Sequence, residues 1–169
     1  MRKLLLLVFL PLVAFTTFEW VTVKLDDHVS VVFPAQPVQQ ESAGNPLWMA
    51  VPDTNALFMS MVVDMEKLGV DSATLAPLLD QLEFYEQYRE GAAGKFGETK
   101  VVYDTMYKKN GYHVNEFKLR KESTDLSFPY WNITIRSIFI GAKVYAFSYL
   151  EKNDRQEGMQ RFFNSVQVK

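Results

Sequence analysis

The chain has 169 residues, 48% hydrophobic, 14% aromatic and 22% charged, with a formal net charge of −2 and no cysteine. That length and apolar share suit one globular domain with its own core, and the slight acidic excess argues against a nucleic-acid partner. Without cysteine there is no thiol nucleophile, iron–sulfur cluster or Cys-rich zinc site, and an exported domain lacking disulfide staples fits a bacterial envelope best.

The first 17 residues have the three parts of a secretory signal: Arg2 and Lys3, an apolar run over residues 4–14, and small residues around Ala14 and Thr16. Cleavage is expected near Thr16, leaving a single α+β domain over residues 18–169 in the periplasm or outside the cell. The apolar run is shorter than the ~20 residues of a spanning helix, so membrane contact is expected only through an uncleaved signal segment. Losing Arg2 and Lys3 removes two positive charges and moves the balance from −2 to −4. No cysteine follows the run, which excludes a lipid anchor at a new N-terminal cysteine.

Residues 19–25 (EWVTVKL) and 28–33 (HVSVVF) alternate in polarity across Asp26-Asp27, which reads as strand, tight turn and strand. Pro34 ends the second strand, and residues 35–46, with Pro37 and Gly44, read as a polar loop. Residues 47–51 and 56–65 are the next strands, joined by Pro52-Asp53-Thr54-Asn55. Met49, Met59, Met61 and Met65 form a soft stripe there whose ordinary role is core filling.

The period changes over residues 71–90, where Leu75, Leu78, Leu79, Leu82 and Tyr85 recur at three- and four-residue steps opposite Asp80, Glu83, Glu86 and Glu90. This predicts one helix, capped by Asp71 or Ser72 and closed by Gly91, with Pro77 tolerated only in its first turn. Gly91, Gly94 and Gly97 then punctuate the one glycine-rich segment, a loop that presents Lys95 and Phe96. Strands over residues 98–109 and 112–121 flank Asn110-Gly111, the strongest hairpin signal in the chain.

The closing unit is a strand over residues 130–140, a turn at Gly141-Ala142, a strand over 143–150 and a helix over 154–163. Arg136 alternates in phase with Asn132 and Thr134, so solvent is its expected destination. The resulting fold class is α+β, an antiparallel sheet flanked by two main helices.

Several short stretches resemble a known pattern. A strand ending VSVVFPAQP precedes the helix and Gly-rich loop, Gly111-Tyr112 leads to Glu116-Phe117, and an Arg136–Tyr145 strand–glycine–strand unit leads to RFFNSVQV. With the leader, these resemble bacterial secreted and lipoprotein domains of the PsbP-like fold. The resemblance implies an α/β/α sandwich and a role in assembly, scaffolding or binding, and it carries no catalytic residue set onto these positions. The chain departs from it in lacking the lipoprotein cysteine and any photosynthetic cofactor motif.

Catalytic chemistry finds little support. A phosphate-binding loop needs a glycine five residues before Gly94 and a Ser or Thr after Lys95, but Arg89 and Phe96 stand there, and the segment follows a helix. His28 and Ser30 share a strand face ~7 Å apart, too far for direct proton transfer. His113 reads as an exposed hairpin residue, and with two histidines in all, no metal site or cofactor is expected. The expectation is a non-catalytic envelope domain that binds a protein through Lys95, Phe96, Tyr112 and His113. The alternatives are a carrier holding a small apolar ligand between sheet and helix, and a hydrolase with an unrecognised site.

Overall fold

A computed structural model describes residues 19–122, 129–153, 156 and 158–169. The expected leader therefore lies outside the described residues. β1 (Val21–Lys24) and β2 (Val29–Phe33) form the first hairpin, closed by an Asp26 Oδ1 that accepts the His28 and Val29 N–H groups at 2.8 and 2.9 Å. A strand the sequence did not suggest, β10 (Gln167–Val168), pairs with the other edge of β2, so these three make a small sheet of their own.

The main sheet has seven strands, each antiparallel to its neighbours. β3 (Val38–Ser42), β4 (Asn45–Ala50) and β5 (Ala56–Asp64) run inward from one edge, and β6 (Thr99–Lys109), β7 (Tyr112–Lys121) and β8 (Asn132–Ile140) from the other. β9 (Lys143–Glu151) joins the halves, giving the order β3-β4-β5-β9-β8-β7-β6. β3 lies within the expected polar loop. Every one of its residues is exposed, so it has no apolar alternation to read, and its pairing with β4 makes it a strand.

The expected single helix is two. α1 (Ser72–Leu78) is capped by Asp71, whose carboxylate accepts the Thr74 N–H at 2.8 Å, and α2 (Leu82–Ala93) follows a break at residues 79–81. Pro77 sits in the second turn of α1, not the first, and the helix stops one residue later. In one straight helix Tyr85 would lie about 120° round from Leu79. The break turns Tyr85 inward beside Leu75 and Leu79 and leaves Leu82 51% exposed. With α3 (Met159–Asn164), the described residues hold three α-helices. Of the expected closing helix, residues 154, 155 and 157 lie outside the described set.

The sheet is covered on both sides because most strands carry apolar residues in both phases. On one face Phe58, Tyr145, Phe147 and Tyr149 meet Val31 and Phe33 of the small sheet and Phe162 and Phe163 of α3. On the other, Phe139 and Val144 meet α1 and the start of α2, while Phe117, Leu119, Ile133 and Leu150 pack toward Ala92, Ala93 and Phe96. The methionines at 49, 59 and 61 are half-buried on this second face.

Arg136 corrects its expected solvent position. It faces the α3 layer, where Nε and Nη2 both reach Glu116 Oε2 at 2.7 Å, Nη1 donates to the Phe163 carbonyl at 3.0 Å, and the guanidinium lies over the Phe163 ring. Alternation assigned it the right neighbours. It could not reveal that α3 would cover that face.

Candidate functional site

β6 forms one free edge of the seven-stranded sheet. Five of the ten exposed large hydrophobic residues among the described ones lie on it: Val101, Val102, Tyr103, Met106 and Tyr107, each 37–48% exposed. Such concentration on one strand sets this margin apart from scattered surface apolar residues. Register places Tyr103, Thr105 and Tyr107 on the α3 side, opposite Lys118, Glu116 and Val114, and Asp104, Met106 and Lys108 on the α2 side.

The charges along this margin divide into satisfied and available groups. Asp104 is held by Arg89 of α2 at 2.7 Å and by the Asn115 amide at 2.9 Å, and Glu116 is held by Arg136. Lys100, Lys109 and Arg120 are exposed, Lys118 lies 5.6 Å over the Tyr103 ring, and Lys108 makes only a loose pair with Asp80 at 3.6 Å. Asp104 and Glu116 are occupied, and although Glu98 and Glu122 are exposed at the start of β6 the exposed Lys100, Lys108, Lys109 and Arg120 outnumber them, so the margin is basic in a chain that is acidic overall. Two features keep it from pairing indiscriminately: a register shift between Val101 and Tyr103, and the lysines at both ends of the strand.

The four residues expected to bind a partner bracket this strand. Lys95 is exposed and Phe96 half-buried in a 3-10 turn, Gly94–Phe96, beside the start of β6. Tyr112 and His113 open β7 beside the end of β6. Roughly 30 Å of strand separates the two pairs, so they do not form one rim. Tyr112 and His113 also point to opposite faces: Tyr112 packs with Val114 and Ile138 toward α3, and His113 faces α2. The strand between the pairs carries the exposed apolar surface.

The glycine-rich segment is mostly helical, which corrects its reading as a loop. Gly91 lies inside α2 and Gly94 follows its last turn, and only Gly97, at φ 78°, uses the positive φ that glycine permits.

His113 is not an exposed hairpin residue. Its side chain is 20% exposed under the α1–α2 break, with Nδ1 3.3 Å from the Tyr85 hydroxyl and Nε2 3.7 Å from Asp80 Oδ1. Tyr85 donates to the Leu79 carbonyl at 2.8 Å, so Nδ1 is left to donate to the hydroxyl oxygen. Burial, then the nearby Asp80 charge, pushes the Tyr85 hydroxyl up to about 12, so it keeps its proton at neutral pH. The cluster ties the break to the hairpin. His28 is exposed at its turn, and neither histidine hydrogen-bonds a serine among the described residues. Among those residues no three His, Cys, Asp or Glu side chains converge as metal ligands, and no helix is long and apolar enough to cross a membrane.

No protein-family model matches the sequence, and no curated protein does. The solution structure of cyanobacterial PsbP (CyanoP) from Synechocystis sp. PCC 6803 superimposes on 92% of this chain and 96% of its own, with a TM-score of 0.58 and 8% identity. A crystal structure from Bacteroides thetaiotaomicron VPI-5482 covers 83% of this chain and 45% of its own at 8% identity, and its TM-score of 0.35 carries no argument. The fold is PsbP-like: α+β, built on a large antiparallel sheet.

Proposed function

We propose that this is a non-catalytic binding domain that captures an extended segment of a protein partner along β6. The observation that carries the reading is the exposed apolar and aromatic strand at a free sheet edge. An added strand would complete the backbone pairing, and its alternate side chains would meet Tyr103 and Tyr107 on one face and Met106 on the other. Because the cations beside β6 project outward, the segment that fits best alternates apolar with acidic residues. The fold is shared with a protein named for PsbP, and scaffold or binding roles agree with that likeness.

The site of action we infer is the bacterial cell envelope, on the strength of the basic and apolar leader over residues 1–17 and the absence of cysteine. The carrier reading is less favoured, since side chains of Leu75, Tyr85, Phe139 and Val144 occupy the layer between sheet and helices where its ligand was expected.

Photo-crosslinking in the native envelope tests the proposal. A crosslinking residue at Tyr103 or Met106 should give a discrete protein adduct, and one at Val38, exposed on the opposite edge strand, should not. No adduct from β6, or equal adducts from both edges, would overturn it.

A further inference from the structure

A cleft of about 140 Å³ lies on the α3 side of the sheet, where the β4–β5 turn meets the end of β9 and the start of α3. Trp20, Phe58 and Tyr149 wall it. Phe58 meets both other rings edge-on, 6.4 Å from Trp20 and 5.0 Å from Tyr149 between centroids. Gly158, at φ 76°, keeps one corner open. A Cβ there would stand 3.3 Å from both Phe58 and Trp20.

Among the described residues, two carboxylates and no cation line this cleft. Glu151 is 5% exposed, and its Oε2 accepts the Tyr149 hydroxyl at 3.1 Å and the Gln156 N–H at 2.9 Å. Both donors are neutral, and no described Lys, Arg or His lies within the 4.0 Å of an ion pair with it. Asp53, at the mouth, spends Oδ1 on the Asn55 and Ala56 N–H groups. The cations of neighbouring segments are engaged with rings instead: Arg161 lies 4.2 Å over Trp20 and Lys152 5.9 Å over Tyr130. Lys118 and Arg120 line a separate recess on the other flank of Glu151.

A carboxylate removed from water is costly unless a positive charge faces it. Aromatic rings attract cations through their negative faces, most strongly where water is excluded. A cleft near this size holds about six non-hydrogen atoms. Together these features describe an aromatic-walled cleft whose buried carboxylate meets no described cation within it, and we infer that the cleft binds a small aliphatic ammonium compound, its charge on Glu151 and its carbons against Trp20, Phe58 and Tyr149. This inference does not rest on the protein-binding reading.

Tetramethylammonium and its neutral, similarly shaped counterpart tert-butanol are the probes, followed by amide and indole N–H shifts in the folded protein. Tetramethylammonium should shift the Trp20 indole and Gly158 amide in a saturable way, and tert-butanol should not. Glu151→Gln keeps the side chain's size and its acceptor for Tyr149, and should weaken tetramethylammonium binding by about tenfold or more. Equal binding of the neutral probe, the same shifts from sodium or potassium chloride alone, or no shift at either reporter would overturn the assignment. The comparison of charged and neutral probes on the unaltered protein decides the matter even if Glu151→Gln fails to fold.

Discussion

Asp26 should tie the stability of this domain to acid pH. It sits in the β1–β2 turn and reaches across to β9, where its Oδ2 accepts the Tyr145 hydroxyl at 2.5 Å and the Lys143 ammonium at 3.1 Å. Burial pushes its carboxyl up, but hydrogen bonds from Tyr145, the His28 N–H, Lys143 and the Val29 N–H outweigh that and bring it from 3.8 down to about 2. A shift of that size is worth at most about 2.5 kcal/mol. Solvent still reaches both Asp26 and Lys143, so screening reduces it to about 1–1.5 kcal/mol.

The sign follows from the direction of the shift. The unfolded chain takes up the proton first as pH falls, so the contribution is full above pH 3.8 and lost between there and about pH 2. Asp26→Asn should therefore cost about 1–1.5 kcal/mol at pH 7, or roughly 3–5 °C in Tm, and almost nothing at pH 2. Urea unfolding of both proteins across that range measures the difference. A penalty that stays constant from pH 7 to pH 2 would refute the reasoning, since it would place the loss in the turn's backbone contacts and not in the carboxylate's charge.

Two further perturbations probe the packing beneath. Arg136→Met should cost about 2–3 kcal/mol by leaving Glu116 unpaired in a half-buried position, and a cycle with Glu116→Gln should show coupling of about 1–2 kcal/mol in urea unfolding. Phe162→Ala should cost about 3–5 kcal/mol and lower Tm sharply in calorimetry, because this fully buried ring touches Phe33, Phe58, Phe147 and Phe163 together.

Much of the fold was readable where period and turn chemistry agree. The hairpins at Asp26-Asp27, Asn110-Gly111 and Gly141-Ala142 all stand where alternation and turn residues place them, with six strand bounds shifted by one or two residues. β3 was hidden because VQQES has no apolar face and depends on β4 for its hydrogen bonds. The break after α1 was hidden because the leucine spacing continues through it, and only competition for the core between Tyr85 and Leu82 decides which goes inside. For the candidate surface, the sequence pointed to the two ends of β6 through Phe96 and Tyr112. It could not show which apolar residues of the strand stay uncovered, since that depends on where α3 and the small sheet stop. The aromatic cleft joins residues from Trp20 to Gly158, and no local pattern connects them.

The pairing of β10 with β2 orders events as well as atoms. The Val32 N–H donates to Ser165 Oγ across 133 residues, and Lys169 donates to the His28 carbonyl. A two-stranded hairpin such as β1–β2 is marginal by itself, so it acquires a lasting place only when α3 and β10 arrive. While the chain is being made, Phe33 and the ring side chains of the central strands wait for partners in α3, which follows them in the sequence. The layer that begins the described chain is thus among the last to set, which leaves a long interval in which a chaperone would meet this protein still open.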